Sequence, residues 1–96
     1  MPVITVTRFR SDPSDAEELR ARHAALVSAT RAAFPGLTEA RLGRIDDSTW
    51  VGVWRWDSAA DLRAAREAVP GDAAAAAAFA LTREATVDDI DVLDEH

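Results

Sequence analysis

Trp50 to Leu62, WVGVWRWDSAADL, is the stretch that decides the fold. Alternation along its first half puts Trp50, Trp54 and Trp56 on one strand face with Gly52 between them. Val51, Val53 and Arg55 take the other face. The pattern then changes. Ser58 and Asp61 have the spacing of a helix cap and its partner, so strand passes straight into helix. That helix should run to about Val69, where Pro70-Gly71 stops it. If the tryptophans point toward the helices, the valine face is left outward.

Working outward, Asp46-Asp47-Ser48-Thr49 is a turn and Leu37 to Ile45 alternates loosely, so the tryptophan strand closes a hairpin. Pro35-Gly36 ends a helix predicted from Ser14 to Phe34, with Leu19, His23, Leu26, Val27, Thr30 and Phe34 along one stripe. Two starts overlap there. Either Asp12 caps with Pro13 in the first turn, or Ser14 caps with Glu17 as its partner. The chain opens on a strand rich in β-branched residues, Val3 to Arg10, VITVTRFR, with Val3, Thr5, Thr7 and Phe9 on one face. Toward the other end Asp72 caps an alanine helix, Ala73 to Leu81. A last strand, Glu84 to Leu93, carries Val87, Ile90 and Val92 as its apolar members. The order βαββαβ, with one extra helical segment, predicts an α+β, ferredoxin-like domain spanning residues 1–96. It has a four-stranded antiparallel sheet with its helices on one face.

Composition removes whole classes of chemistry. The 96 residues contain no Cys, Lys, Tyr, Asn or Gln, so all eleven basic residues are Arg. Cysteine nucleophiles, thiolate metal sites, Schiff bases and the P-loop lysine are all excluded. The net charge of −6 argues against nucleic acid and anionic membranes as partners. Met1 to Thr5 has neither the basic head nor the apolar run of a signal peptide, so the expected address is cytoplasmic. There is no GxSxG, GxGxxG or HExxH. The acidic residues Asp88, Asp89, Asp91, Asp94 and Glu95, with His96, lack metal-ligand spacing and read as a solvated edge; no metal site is expected.

A sheet covered on one side leaves Ile4, Val6, Val51 and Val53 as an apolar patch. A second copy laid against that face would bury it, which predicts an isologous homodimer through the sheets. Arg8 and Arg55 lie on the same face. They would either hold a carboxylate together or form ion pairs at the subunit boundary, with Glu39 or Asp57 as partners.

On the helix-facing side, Gly52 leaves a gap beside Trp54 and Trp56 where a flat ligand would lie, and Thr7 and Phe9 share that side. The indoles serve equally well as plain core. His23 sits on the apolar stripe of the first helix, either as a base working near neutral pH or as a groove histidine with its hydrogen bonds satisfied.

Three stretches together resemble the antibiotic biosynthesis monooxygenase (ABM) family of dimeric α/β barrel proteins. They are the opening VITVTRFR, the turn Phe34-Pro35-Gly36-Leu37 after a long helix, and the passage VWRWDSAADLRAA. The likeness covers the chain in element order and is strongest at Trp56-Asp57-Ser58, which matches the family's tryptophan at the end of its third strand. It implies a dimer whose two sheets form a barrel, with a cavity between each sheet and its helices. Family members include cofactor-free oxygenases of anthrones and quinols, haem-degrading enzymes and proteins without known activity. The anthrone oxygenases use Asn and Tyr beside the strand tryptophan. This chain has neither, and Gly52 stands at the position of that Asn. The residues corresponding to the haem degraders' Asn and Trp are Thr7 and Ala65, and no histidine falls between His23 and His96, which disfavours haem degradation.

The resemblance therefore points to a cofactor-independent, monooxygenase-like protein acting on a planar aromatic. His23 would be the base and Trp56 N–H would face the oxyanion, with Trp54, Gly52, Thr7 and Phe9 around the ligand. The alternatives are a non-catalytic dimeric module that binds a small molecule or a partner, and an aromatic polyketide cyclase.

Overall fold

The computed structural model describes residues 1–96. Its strands are β1 (Val3–Arg10), β2 (Leu37–Asp46), β3 (Thr49–Trp56) and β4 (Arg83–Asp91). Its helices are α1 (Ala16–Ala33), α2 (Ala59–Ala68) and α3 (Ala73–Phe79), with single 3-10 turns at Pro13–Asp15 and Val69–Gly71. The sheet order is β2-β3-β1-β4 and every pairing is antiparallel, which is the ferredoxin-like α+β arrangement.

Of the two possible starts to the first helix, the chain uses the Asp12-Pro13 one. The Asp12 carboxylate accepts from the Ser14 backbone N–H at 2.9 Å, and the Ser14 hydroxyl donates to the same carboxylate at 2.7 Å. Ser14 is thereby occupied and caps nothing. The first turn is tightened to 3-10, so α1 begins two residues later than the expected Ser14. Ser58 does cap α2, accepting from Asp61 N–H at 3.2 Å and donating to the Asp61 carboxylate at 2.8 Å. Asp72 caps α3 through the N–H groups of Ala74 and Ala75. That helix stops at Phe79, short of the expected Leu81, because Leu81 and Thr82 bond back to the carbonyls of Ala78 and Phe79 in a closing turn. The last strand starts one residue early at Arg83 and ends at Asp91, where Val92 N–H crosses to Pro2 O at 3.0 Å.

Register places Val3 opposite Trp56, Thr5 opposite Trp54, Thr7 opposite Gly52 and Phe9 opposite Trp50. All these residues point to the helix side, and the apolar interior there divides into three clusters. Val3, Leu37 and Trp56 pack with Leu62 and Ala65 of α2. Phe9 and Trp50 pack with Leu19 of α1. Leu26 of α1 packs with Ala75 and Ala78 of α3, and half-buried Trp54 borders both this cluster and the first. Gly36 is required by the first turn of α2: a Cβ there would lie 2.5 Å from the carboxyl carbon of Asp61.

None of these clusters reaches β4. It is an edge strand, and Val87 and Ile90, expected as its apolar members, are 52% and 47% exposed. On the sheet face away from the helices Ile4, Val6, Val51 and Val53 are only half-buried. The C-terminal tail returns to that face, where the Glu95 carboxylate accepts from Arg55 Nε at 2.9 Å and Nη2 at 2.7 Å. Arg55 also lies 3.6 Å from Asp57, whereas Glu39 pairs with Arg41. Arg8 sits opposite Val51, four residues along β3 from Arg55, so the two arginines do not act as a pair. No helix is long and apolar enough to cross a membrane.

Candidate functional site

Residues four apart on a helix stack along one side. His23, Val27 and Arg31 form such a row on α1, and it faces Ala40 and Leu42, alternate residues of β2. Between the two walls runs an open groove of about 540 Å³, with Ser28 also on its lining. The stripe that holds α1 to the sheet therefore also supplies the groove's only imidazole.

Behind His23 lies Trp54. Its Nε1–H donates to His23 Nε2 at 3.1 Å, with the rings edge to face and centroids 5.7 Å apart. This bond requires Nε2 to be the unprotonated nitrogen, so the ring proton resides on Nδ1. Burial holds the His23 pKa below its ordinary value of 6.5, and the imidazole is neutral at pH 7. Next to the same indole is Gly52, buried and outside the groove's lining. A Cβ built on Gly52 would meet nothing nearer than Trp54 Nε1, at 3.9 Å. Thr7, opposite Gly52 in register and half-buried, continues this floor on β1.

The structure thus brings four of the expected residues together, His23, Trp54, Gly52 and Thr7. It separates the other two from them. Trp56 is 3% exposed inside the cluster with Leu37 and Leu62, one ring behind Trp54 at a centroid distance of 6.3 Å. Its indole N–H is buried and finds no acceptor, and the same holds for Trp50. Phe9 is buried against Leu19 and Trp50 at the far end of the sheet.

Arg31 and Ser28 are not anticipated from the sequence, although Arg31, eight residues on from His23, falls on the same side of the helix. The Trp54 partner had no such signal, because the placement of α1 over β3 depends on contacts distant in sequence. A second polar cluster, away from the groove, joins α2 to the edge strand. Arg66 forks onto Asp89, with one bond at 2.6 Å, and Thr5 donates to the same carboxylate at 3.3 Å. The guanidinium holds the Asp89 pKa down, and Asp89 holds that of Arg66 up. No group of three or more His, Asp or Glu side chains is arranged to hold a metal ion.

With this geometry in view, comparison with known proteins defines the class. The sequence model described as antibiotic biosynthesis monooxygenase matches residues 2–82. The chain belongs to that family. Among solved structures it is similar to Rv0793 from Mycobacterium tuberculosis, at 29% identity and a TM-score of 0.73, covering 99% of this chain and 98% of that one. It is also similar to SnoaB from Streptomyces nogalater, a cofactor-independent oxygenase, at 25% identity and a TM-score of 0.69, covering 98% and 95%. A Caulobacter crescentus structure at 18% identity shares the fold with a TM-score of 0.82, covering 97% and 91%. No curated protein matches the sequence.

Proposed function

We propose that this protein is a cofactor-independent oxygenase of a planar, electron-rich aromatic of the anthrone or quinol type, working at His23, Trp54 and Gly52. The observation that carries the reading is the 3.1 Å bond from Trp54 to a neutral His23 on the wall of the groove. A phenolic or enolic O–H reaching His23 from the groove takes the place of the indole as the donor to Nε2. Proton transfer then leaves an anion facing an imidazolium and a released indole N–H, two donors that stabilise it. The anion gives one electron to O₂. The resulting aryloxyl radical, with spin density on a ring carbon that bears hydrogen, combines there with superoxide; the peroxide anion takes the proton back from the imidazolium, and loss of water with the hydrogen on that carbon leaves a carbonyl. The substrate is oxidised by O₂ and the protein supplies positioning, a base and desolvation. Trp56 stands behind Trp54 as its support. Membership of the family and the likeness to SnoaB agree with this chemistry.

The test is oxygen uptake with an anthrone and a naphthoquinol. Wild type should consume oxygen, with His23→Ala reducing the rate at least about a hundredfold, the lower range for loss of a general base, and Gly52→Val reducing it by crowding Trp54. An unchanged rate in His23→Ala removes the proposed base.

A second reading is binding without turnover. It is favoured by the His23 lone pair, which Trp54 already occupies. Saturable binding of the same compounds with no oxygen consumed would establish it. In either case a second copy of the chain covers the apolar face of Ile4, Val6, Val51 and Val53, and light scattering at micromolar concentration should give twice the 10.4 kDa mass. A monomer at that concentration removes the dimer.

A further inference from the structure

His23, Ser28 and Arg31 are the polar side chains along the groove, and the remaining lining is aliphatic. Each can donate a hydrogen bond, and of the three only the guanidinium is charged at pH 7. The chain carries 17 Asp and Glu residues, yet none of them lies among the groove's eight. Arg31 is held by a single bond, from Nε to the Leu37 carbonyl at 3.3 Å. Like Arg8, Arg20, Arg44, Arg63 and Arg83 it pairs with no carboxylate, whereas Arg10, Arg22, Arg41, Arg55 and Arg66 do. The bond at Nε fixes the guanidinium at the groove's end and leaves its terminal nitrogens free. In a protein of net charge −6, Arg31 makes this groove locally positive, since no other charged side chain lines it.

We infer that the groove takes an anionic aromatic ligand, whose rings lie along Val27, Ala40 and Leu42 and whose carboxylate is held by Arg31. His23 and Arg31 are eight residues apart on α1, about 12 Å along the axis, so a flat ligand of two or three rings spans from the imidazole to the guanidinium. A carboxylate fits the guanidinium fork through paired N–H bonds. The inference rests on the proposed site at His23 and adds to it the charge class of the ligand.

Calorimetric titration with 2-naphthoate and with its methyl ester tests this, because the rings are the same and only the charge differs. Wild type should bind the naphthoate about tenfold more tightly than the ester, as expected for one charge-assisted contact, and the margin should narrow as salt is raised. Arg31→Gln should bring the two affinities together by weakening naphthoate alone, and Arg31→Lys should restore part of the difference. Equal binding of both probes to wild type overturns the inference and leaves the groove standing. A preference that survives in Arg31→Gln also overturns it. If neither probe binds, the groove is not a ligand site, and the proposed function falls with the inference.

Discussion

Trp54 and Trp56 are two residues apart on one strand and share one face, yet their surroundings differ in kind. Trp56 is sealed among Val3, Leu37, Leu62 and Ala65 where α2 closes on the sheet. Trp54 is half-buried, and its N–H is engaged by a histidine that opens on a groove. The difference comes from what lies above each ring. Over Trp56, α2 brings Leu62 and Ala65, an apolar pair that fills the space. Beside Trp54 the sequence offers Gly52, which fills nothing, and His23, which is polar. The same face therefore serves as core at one end and as a candidate site in the middle.

Substitutions should divide along that line. Trp56→Ala removes the largest side chain of its cluster and should cost about 3–5 kcal/mol, a large part of the roughly 5–15 kcal/mol that holds a domain folded. Urea denaturation measures it. A loss no greater than that in Trp54→Phe would erase the distinction between the two rings. Gly36→Ala comes next, since the new methyl collides with Asp61 under the start of α2. The expected cost is about 1–3 kcal/mol, read from the same denaturation curves. An unchanged midpoint would mean that the turn yields freely.

Trp54→Phe keeps the ring and deletes the donor to His23, so stability should fall by only about 1 kcal/mol. Turnover, by contrast, should fall, because the anion then lacks the released indole N–H as a donor. Acid provides a gentler probe of the same bond. The folded pKa of His23 lies below the ordinary 6.5, so the unfolded chain binds the proton more readily. Stability due to this residue is complete above 6.5 and declines as pH falls through 6.5 toward the lower folded value. Denaturation midpoints collected across that window should show a slope that His23→Gln flattens. A slope identical in the variant would place its origin elsewhere. Least affected of all is the outer surface of α1. Glu18→Gln weakens its pair with Arg22, but the pair lies in solvent and is screened, so the midpoint should not move measurably.

The fold was legible because its signals are local. Strand alternation around Gly52, the Ser58 and Asp72 caps and the Pro35-Gly36 stop each act within a few residues, and each held in the structure to within about two positions. Where boundaries moved, a neighbouring polar group had already been used, as when Ser14 bonded to Asp12 and left the helix to start later. The apolar pattern of Val87 and Ile90 marked a strand correctly but not its exposure, which depends on its place at the sheet edge. The site was half legible. The apolar stripe of α1 turned His23 toward the sheet, and the alternation of β3 put Trp54 on the face it meets. That the two would bond, and that Glu95 would cross the sheet to Arg55, depends on contacts 31 and 40 residues apart. No periodicity encodes those.

The most direct test follows the three indole N–H resonances by ¹H–¹⁵N NMR during titration with 1-naphthol, a flat phenol suited to reaching His23 from the groove. The account predicts that the Trp54 signal moves and saturates as its bond to His23 is exchanged for one to the ligand, while those of Trp50 and Trp56 stay in place. A Trp54 signal that stays still while ligand accumulates, or a Trp56 signal that moves in its stead, would contradict it.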